Sequence, residues 1–187
     1  MSGPAVKHPE RIEEKVRDIR MILLDVDGVL TDGGIVLGSN GREQKRFDIQ
    51  DGMGVTLART AGLKVGVITG RKSDIVARRA RELKMDAVYQ GSFHKLPDYE
   101  EALDTFGVRD GQVCYMGDDV LDLVLLERAG LSAAPANARE EIKQIADVIT
   151  FRSGGNGAVR ELIDWILKTQ GKWEEAVRKC REASLHP

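Results

Sequence analysis

Short apolar segments alternate with helical patterns along most of this 187-residue chain. Apolar and β-branched residues concentrate in five segments, residues 21–26, 64–69, 87–90, 112–117 and 147–151. Residues 73–83 carry apolar side chains at the spacing of one helical face, and residues 120–129 form a second, more apolar helical pattern. Strands that alternate with helices form a parallel sheet covered on both faces. The sequence therefore predicts an α/β fold, a Rossmann-like three-layer α/β/α sandwich around a parallel sheet.

One segment interrupts this alternation directly after the first predicted strand. Residues 34–37 and 43–49 are strand-like, and Asn40-Gly41 between them is a strong signal for a hairpin turn. Between Asp27 and Thr69 the chain has room for little beyond this hairpin and one helix. Between Thr69 and Lys95 it has room for only one helix and one strand. We therefore predict a β-hairpin flap at about residues 34–49 and no cap domain.

The rest of the chain is predicted to form one domain with two polar ends. We expect a polar N-terminal extension over residues 1–20, a single domain over residues 21–170 and a polar helix or tail over residues 171–187. Within the domain, Asn137 is followed three residues later by Glu140. This spacing resembles a capping box and predicts that a helix begins there.

The charge balance does not favour a polyanionic partner. The chain has 28 basic and 30 acidic residues, which gives a formal net charge of −2. Residues 1–20 lack the apolar core of a signal peptide, and no apolar run approaches the ~20 residues of a membrane span. The two cysteines, Cys114 and Cys180, show neither metal-site spacing nor a disulfide framework. We therefore expect a cytoplasmic protein with no nucleic-acid or membrane partner.

Reactive side chains fall at the ends of four predicted strands. In chain order they are Asp25 and Asp27 after the first strand, Thr69 at the end of the second, Lys95 shortly after the third, and Asp118 and Asp119 at the end of the fourth. The carboxyl ends of parallel strands share one edge of the sheet, where such folds bind their ligands. These residues are therefore expected to converge on one crevice.

The chemistry of these side chains suits a divalent cation that holds a phosphate. Mg2+ prefers oxygen ligands and binds through one or two carboxylates, which Asp25 and Asp118 can supply. One aspartate can attack phosphorus, and a carboxylate two residues away can protonate the leaving oxygen and later take a proton from water. The Thr69 hydroxyl and the Lys95 ammonium can hold phosphoryl oxygens. Taken singly, these residues are more typical of exposed loops and strand ends than of a catalytic site, so the hypothesis depends on the set.

The same residues resemble the four sequence motifs of the haloacid dehalogenase superfamily. The matching stretches are Asp25-Val26-Asp27-Gly28-Val29-Leu30-Thr31, Ile68-Thr69-Gly70-Arg71, Lys95, and Gly117-Asp118-Asp119 with Asp122. The resemblance implies that Asp25 is the nucleophile and a Mg2+ ligand. It further implies that Asp27 is the acid/base and contacts the metal through its carbonyl, and that Asp118 completes the ligation. Asp119 and Asp122 are expected nearby, and Thr69, Gly70, Arg71 and Lys95 are expected to bind substrate.

Further stretches resemble the capless, tetrameric phosphatases of 3-deoxy-D-manno-octulosonate 8-phosphate, which serve lipopolysaccharide synthesis. They are residues 47–54, 67–73, 89–91 and 157–161. Asn156 departs from the Gly-Gly-Arg-Gly run of that family, which leaves a nine-carbon keto-acid sugar 9-phosphate as an alternative substrate. Arg71 follows the phosphate-binding turn, and we hypothesise that it pairs with the substrate's carboxylate.

Phosphoryl transfer benefits from excluding bulk water, and a cap domain is one way to do so. Because no cap is predicted here, we expect a neighbouring subunit to cover the site. We expect a homo-oligomer, by resemblance a tetramer, with the hairpin at its interfaces and the C-terminal tail as a second candidate contact. Two other functions stay open at this point. One is a phosphomutase, which usually needs a lid, and the other is a non-catalytic oligomerisation module of a sugar-activating system.

Overall fold

A seven-stranded, mostly parallel sheet organises the chain in the computed structural model, which describes residues 4–7, 9–39 and 41–185. The strands are β1 Ala5–Val6, β2 Met21–Leu24, β3 Val36–Leu37, β4 Glu43–Gln44, β5 Lys64–Thr69, β6 Ala87–Gln90, β7 Val113–Met116, β8 Leu131–Ala134 and β9 Val148–Ile149. Their order in the large sheet is β1-β9-β8-β7-β2-β5-β6, and β3 and β4 form a separate hairpin. Only the β1–β9 pair of the large sheet is antiparallel within the described residues.

Helices cover both faces of this sheet. They are α1 Pro9–Asp18, α2 Ile49–Thr60, α3 Asp74–Glu82, α4 Leu96–Phe106, α5 Leu123–Arg128, α6 Glu140–Ile145, α7 Ala158–Thr169 and α8 Trp173–Leu185, with 3-10 turns at Asp110–Gln112 and Val120–Asp122. Side chains of the central strand β2 alternate between two apolar clusters. Ile22 and Leu24 pack on the side of α1, α2 and α7, whereas Met21 and Leu23 pack on the side of α4, α5 and α6. The predicted three-layer α/β/α sandwich without a cap is confirmed.

The polar ends of the chain pack on this same core. Ile12, Val16 and Ile19, on or next to α1, are buried in the first cluster. In α8, Ala176 is 1% exposed, and Trp173 packs against the first cluster. Each helix therefore presents an apolar stripe to the domain and charged residues to solvent. Within the described residues, no helix is long and apolar enough to cross a membrane.

Two strands were not predicted from the sequence. β8 has the sequence Leu-Ser-Ala-Ala, in which small residues of low β-propensity replace the branched ones. All four of its residues are nevertheless buried, because it lies between β7 and β9. β1 is a two-residue edge strand that pairs with β9. Tertiary pairing, rather than local preference, makes both of them strands.

Two local predictions were wrong at their boundaries. Residues 45–48 are not strand, and Asp48 instead caps α2 by accepting hydrogen bonds from the N–H groups of Gln50 and Asp51 (2.6 and 3.4 Å). Asn137 does not cap α6, which begins after Arg139 with no side-chain cap. The hairpin of β3 and β4 is confirmed, although Asn40 of its predicted turn lies outside the described residues.

Candidate active site

The carboxyl ends of β2 and β7 bring two predicted motifs together. Asp25 follows β2, and its N–H donates to the carbonyl of Met116 at the end of β7 (2.9 Å). The carboxylates of Asp25, Asp118 and Asp122 offer oxygen atoms that all lie within 4.8 Å of one another. The structure thus places Asp25 and Asp118 side by side, as their strand-end positions predict.

Lys95 supplies the positive charge inside this group of acids. Its Nζ donates to Asp25 Oδ1 (2.8 Å) and to Asp122 Oδ1 (2.6 Å), and the side chain is only 3% exposed. Burial alone would lower the pKa of Lys95, but the attraction of Asp25 and Asp122 outweighs it and raises the pKa. Lys95 is therefore held as an ammonium between the carboxylates.

Asp122 uses both of its oxygens to orient its neighbours. Oδ1 accepts hydrogen bonds from Lys95 and from the hydroxyl of Tyr115 (2.6 Å), and Oδ2 accepts from the N–H groups of Asp118 (2.9 Å) and Asp119 (3.3 Å). An added Cβ at Gly117 would collide with the Asp122 side chain. Asp122 therefore supports the cluster more than it faces a ligand. We call Asp25, Lys95, Tyr115, Asp118 and Asp122 the floor.

Tyr115 is a floor residue that the sequence reasoning missed. It is fully buried in β7, and its hydroxyl also accepts a hydrogen bond from Lys95 (3.3 Å). Burial and the nearby carboxylates raise the pKa of Tyr115 well above its ordinary value, so the hydroxyl stays protonated and donates to Asp122. The available signal was a tyrosine in an otherwise apolar strand that leads directly into the fourth motif.

The floor has an excess of negative charge. Burial, followed by the charge of Asp122, raises the pKa of Asp25 to about 6. Burial, followed by the charges of Asp25 and Asp122, raises the pKa of Asp118 to about 8. Three close carboxylates share one ammonium, so a bound cation would relieve their repulsion. This all-oxygen donor set fits Mg2+.

Asp27 lies apart from the floor and faces the hairpin. Its carboxylate pairs with the ammonium of Lys45, whose side chain is 1% exposed, and lies 3.7 Å from Arg71 Nε. Glu43 of β4 accepts a hydrogen bond from Arg71 Nη2 (2.8 Å) and lies 3.5 Å from Lys45 Nζ. We call Asp27, Glu43, Lys45 and Arg71 the rim. The sequence analysis did not identify Glu43 and Lys45. The available signal was that they are two positions apart, which places both side chains on the same face of a strand.

The other predicted residues have more local roles. Thr69 ends β5 and is 2% exposed, and its carbonyl accepts a hydrogen bond from Ser92 (3.1 Å). An added Cβ at Gly70 would lie 3.9 Å from the Leu121 side chain, so this turn runs beside the fourth motif. Asp119 caps the 3-10 turn by accepting from the N–H of Val120 (2.7 Å) and is outside the group of three close carboxylates.

A glycine-rich loop packs against the first motif. The N–H of Gly155 donates to the carbonyl of Val29 (3.0 Å), and an added Cβ at Gly154 would collide with the backbone of Gly28. The Asn137 amide joins the two segments, because it donates to the carbonyl of Gly28 (3.0 Å) and accepts from the N–H of Gly154 (2.6 Å). This contact replaces the predicted cap.

Asn156, the departure from the family pattern, contacts the hairpin. Arg46 Nη2 donates to Asn156 Oδ1 (2.6 Å) and to the carbonyl of Gly155 (3.1 Å). The glycine-rich loop is therefore linked to the flap on one side and to the first motif on the other.

Known proteins are similar to this chain over most of its length. Residues 85–162 match the family of haloacid dehalogenase-like hydrolases. The chain is 41% identical to a 3-deoxy-D-manno-octulosonate 8-phosphate phosphatase of Salmonella typhi, over 93% of this chain and 91% of that protein.

Solved structures show the same fold over nearly the whole chain. A HAD superfamily (subfamily III A) hydrolase from Legionella pneumophila superposes with a TM-score of 0.91 at 38% identity, covering 93% of this chain and 96% of that one. A 3-deoxy-D-manno-octulosonate 8-phosphate phosphatase from Moraxella catarrhalis, in complex with magnesium ion, phosphate ion and KDO, superposes with a TM-score of 0.89. It is 37% identical, with 92% of this chain and 99% of that chain covered.

Proposed function

This chain belongs to the haloacid dehalogenase-like hydrolases and is a capless phosphoric monoester hydrolase, and on that basis we propose that it hydrolyses 3-deoxy-D-manno-octulosonate 8-phosphate. The floor is the observation that carries this proposal, because it concentrates Asp25, Asp118 and Lys95 at the sheet edge where ligands bind. Similarity to octulosonate 8-phosphate phosphatases along nearly the whole chain supports the choice of substrate.

We further propose that Mg2+ binds to the carboxylates of Asp25 and Asp118, together with the backbone carbonyl of Asp27. The excess of carboxylate charge on the floor supports this assignment. When bound, the ion would neutralise charge on the phosphate and favour the ionised form of Asp25. Asp122 is not assigned as a direct ligand, because both of its oxygens already accept hydrogen bonds.

The residues of the chain then account for hydrolysis in two displacements. A carboxylate oxygen of Asp25 attacks phosphorus, the bond from phosphorus to the sugar oxygen breaks, and Asp27 gives that oxygen a proton. Asp27 next takes a proton from water, whose oxygen attacks the phosphoaspartate and releases inorganic phosphate and the Asp25 carboxylate. Lys95 keeps Asp25 oriented (2.8 Å), and Thr69 and Gly70 line the phosphoryl group.

A nine-carbon keto-acid sugar 9-phosphate is the second candidate substrate. It stays a candidate because Asn156, which contacts Arg46 of the flap (2.6 Å), departs from the octulosonate family pattern. Both candidates are acidic sugars, so they share the need for a cation that recognises the carboxylate. We assign that role to Arg71, a rim residue that directly follows the proposed phosphate-binding turn.

We also propose that the chain assembles into a homotetramer through the hairpin. Ile35, Val36 and Leu37 are 50%, 56% and 71% exposed, and nearby Ile49 is 82% exposed. An apolar surface of this kind marks an interaction site. The tail, whose Leu185 is 65% exposed at the end of α8, is a second candidate contact. A monomeric mass in sedimentation at working concentration would refute the assembly.

The function is tested by phosphate release from eight- and nine-carbon keto-acid phosphates and from neutral sugar phosphates, with and without Mg2+. We expect Mg2+-dependent release that is fastest for one of the acidic substrates. Asp25→Asn should lower kcat by at least about 10^3-fold, because it replaces the nucleophile with an amide. Asp104→Asn, at an exposed position on α4, is the matched control and should leave kcat unchanged. Comparable rates for wild type and Asp25→Asn would overturn the mechanism.

A further inference from the structure

The rim contains a carboxylate that belongs to the chain itself and lies between two cations. Glu43 Oε1 accepts a hydrogen bond from Arg71 Nη2 (2.8 Å) and is 3.5 Å from Lys45 Nζ, while Oε2 accepts from the Ser73 hydroxyl (3.4 Å). Arg71 and Lys45 also contact Asp27. Glu43 thus touches both cations that adjoin the carboxylate assigned as the acid/base.

Glu43 lies in a partly buried site that suits an anion, unlike a typical solvent-exposed residue of a surface strand. Its side chain is only 18% exposed, although β4 lies in a hairpin on the surface of the domain. Burial would raise the pKa of Glu43, but the charges of Lys45 and Arg71 outweigh burial and lower it. The rim therefore holds a carboxylate strongly, next to the turn that binds phosphate.

The same carboxylate explains why Arg71 does not face solvent as a free cation. Arg71 is 48% exposed, and its guanidinium is shared between Glu43 and Asp27. A guanidinium binds one carboxylate well through two parallel hydrogen bonds. A second carboxylate that enters the site must therefore compete with Glu43 for the same donors.

We propose that Glu43 occupies the place of the substrate's carboxylate, and that an acidic sugar phosphate binds by displacing Glu43 from Arg71. This inference rests on the proposed function, since it concerns how that site selects its substrate. One carboxylate replaces another, so the charge around Arg71 is unchanged on binding. A neutral sugar phosphate has no carboxylate that could replace Glu43, so it leaves the Arg71–Glu43 pair intact. Attraction to Arg71 thus favours acidic substrates, and the competition from Glu43 sets how tightly they bind without affecting neutral ones.

The test compares the KM of one keto-acid sugar phosphate with that of a neutral sugar phosphate of similar size. Glu43→Gln keeps the shape of the side chain but weakens its hold on Arg71, and we expect the KM of the acidic substrate to fall about fivefold. The KM of the neutral substrate should change less than about twofold. A purely structural role for Glu43 would raise KM or lower kcat for both substrates, which would overturn the proposal.

Two further variants separate competition from other effects. In an Arg71→Ala background, Glu43→Gln should no longer change the KM of the acidic substrate, because the contested cation is gone. Glu100→Gln is the matched control, since Glu100 pairs with Arg128 (2.6 Å) on α4 and α5, outside the rim. An equal fall in KM in the Arg71→Ala background would show that Glu43 acts elsewhere and would refute the displacement.

Failure of this inference differs from failure of the proposed function. If Mg2+-dependent release persists but Glu43→Gln shifts both substrates alike, the phosphatase assignment stands and the displacement is refuted. If the wild type releases phosphate from no compound in the panel, the proposed function falls, and the displacement falls with it.

Discussion

The floor and the rim are both clusters of opposite charges, but they differ in how water reaches them. In the floor, the side chains of Lys95 and Asp122 are 3% and 2% exposed. In the rim, Lys45 is only 1% exposed, but Arg71 is 48% exposed, and Asp27 and Glu43 are 21% and 18% exposed. Electrostatic interactions are stronger and less screened where water is absent. We therefore expect the floor, together with Asp27, to control the rate of the chemistry, and the other rim residues to control the choice of substrate.

The largest effect should follow from removing the cation of the floor. Lys95→Met leaves three close carboxylates without their ammonium, so the free energy of unfolding should fall by about 3–5 kcal/mol without added metal. We also expect kcat/KM to fall about 10^2- to 10^3-fold. Urea denaturation and steady-state kinetics measure the two quantities. Lys64→Met, which removes a 49%-exposed lysine paired with Asp86, should lower the free energy of unfolding by less than about 1 kcal/mol.

An intermediate effect should come from one hydroxyl of the floor. Tyr115→Phe removes the donor to Asp122 Oδ1 and weakens the placement of Lys95, so kcat should fall about tenfold. KM should change little, because Tyr115 does not face the substrate. Tyr99→Phe deletes the same atom from another fully buried tyrosine of the same apolar cluster. Equal kinetic losses in both variants would mean that general packing, and not the floor, is responsible.

The rim should respond to salt more than the floor does. Raising the ionic strength from about 0.1 M to about 1 M shortens the screening length from about 10 Å to about 3 Å. We expect the preference for acidic over neutral substrates, measured as a ratio of kcat/KM values, to fall about threefold over this range. The kcat of the acidic substrate should stay within about twofold. A salt-independent preference would place substrate recognition outside the rim.

The smallest effect on activity should come from a buried carboxylate outside both clusters. Asp51 of α2 accepts hydrogen bonds from the N–H groups of Gly157 (3.2 Å) and Arg160 (2.8 Å) at the start of α7. Burial raises its pKa to about 6 from an ordinary 3.8, despite these donors. The folded state therefore keeps the Asp51 proton at pH values where the unfolded chain has lost it, so this group contributes stability at low pH that is lost as pH rises through 6.

Asp51→Asn cannot titrate and should lack this pH dependence. Between about pH 4 and pH 7, the free energy of unfolding of wild type relative to Asp51→Asn should fall by about 2–3 kcal/mol. Denaturant titrations at several pH values measure this difference, and kcat should be unchanged. A difference that does not vary with pH would show that Asp51 is ionised throughout.

The floor was largely predictable from sequence, whereas two residues of the rim, Glu43 and Lys45, were not. Strand ends in a parallel sheet share one edge, so Asp25, Lys95 and Asp118 were expected to meet there, and they do. Glu43 and Lys45 reach the site only because the hairpin folds over the end of the sheet, which local patterns do not specify. Local patterns also misled at Asn137. Its spacing to Glu140 matches a capping box, but its amide hydrogen-bonds to two loops that are distant in sequence.

The amide of Asn137 also limits how this protein can be redesigned or recombined. It holds Gly28 in the first motif and Gly154 beside Asn156, so two segments more than a hundred positions apart share one side chain. A glycine-rich loop grafted from a relative to alter the sugar specificity would therefore arrive without its matching partner. Residues 28, 137 and 154–157 should therefore be exchanged together, and a chimera that does so should keep the loop of the proposed nucleophile, Asp25, in place.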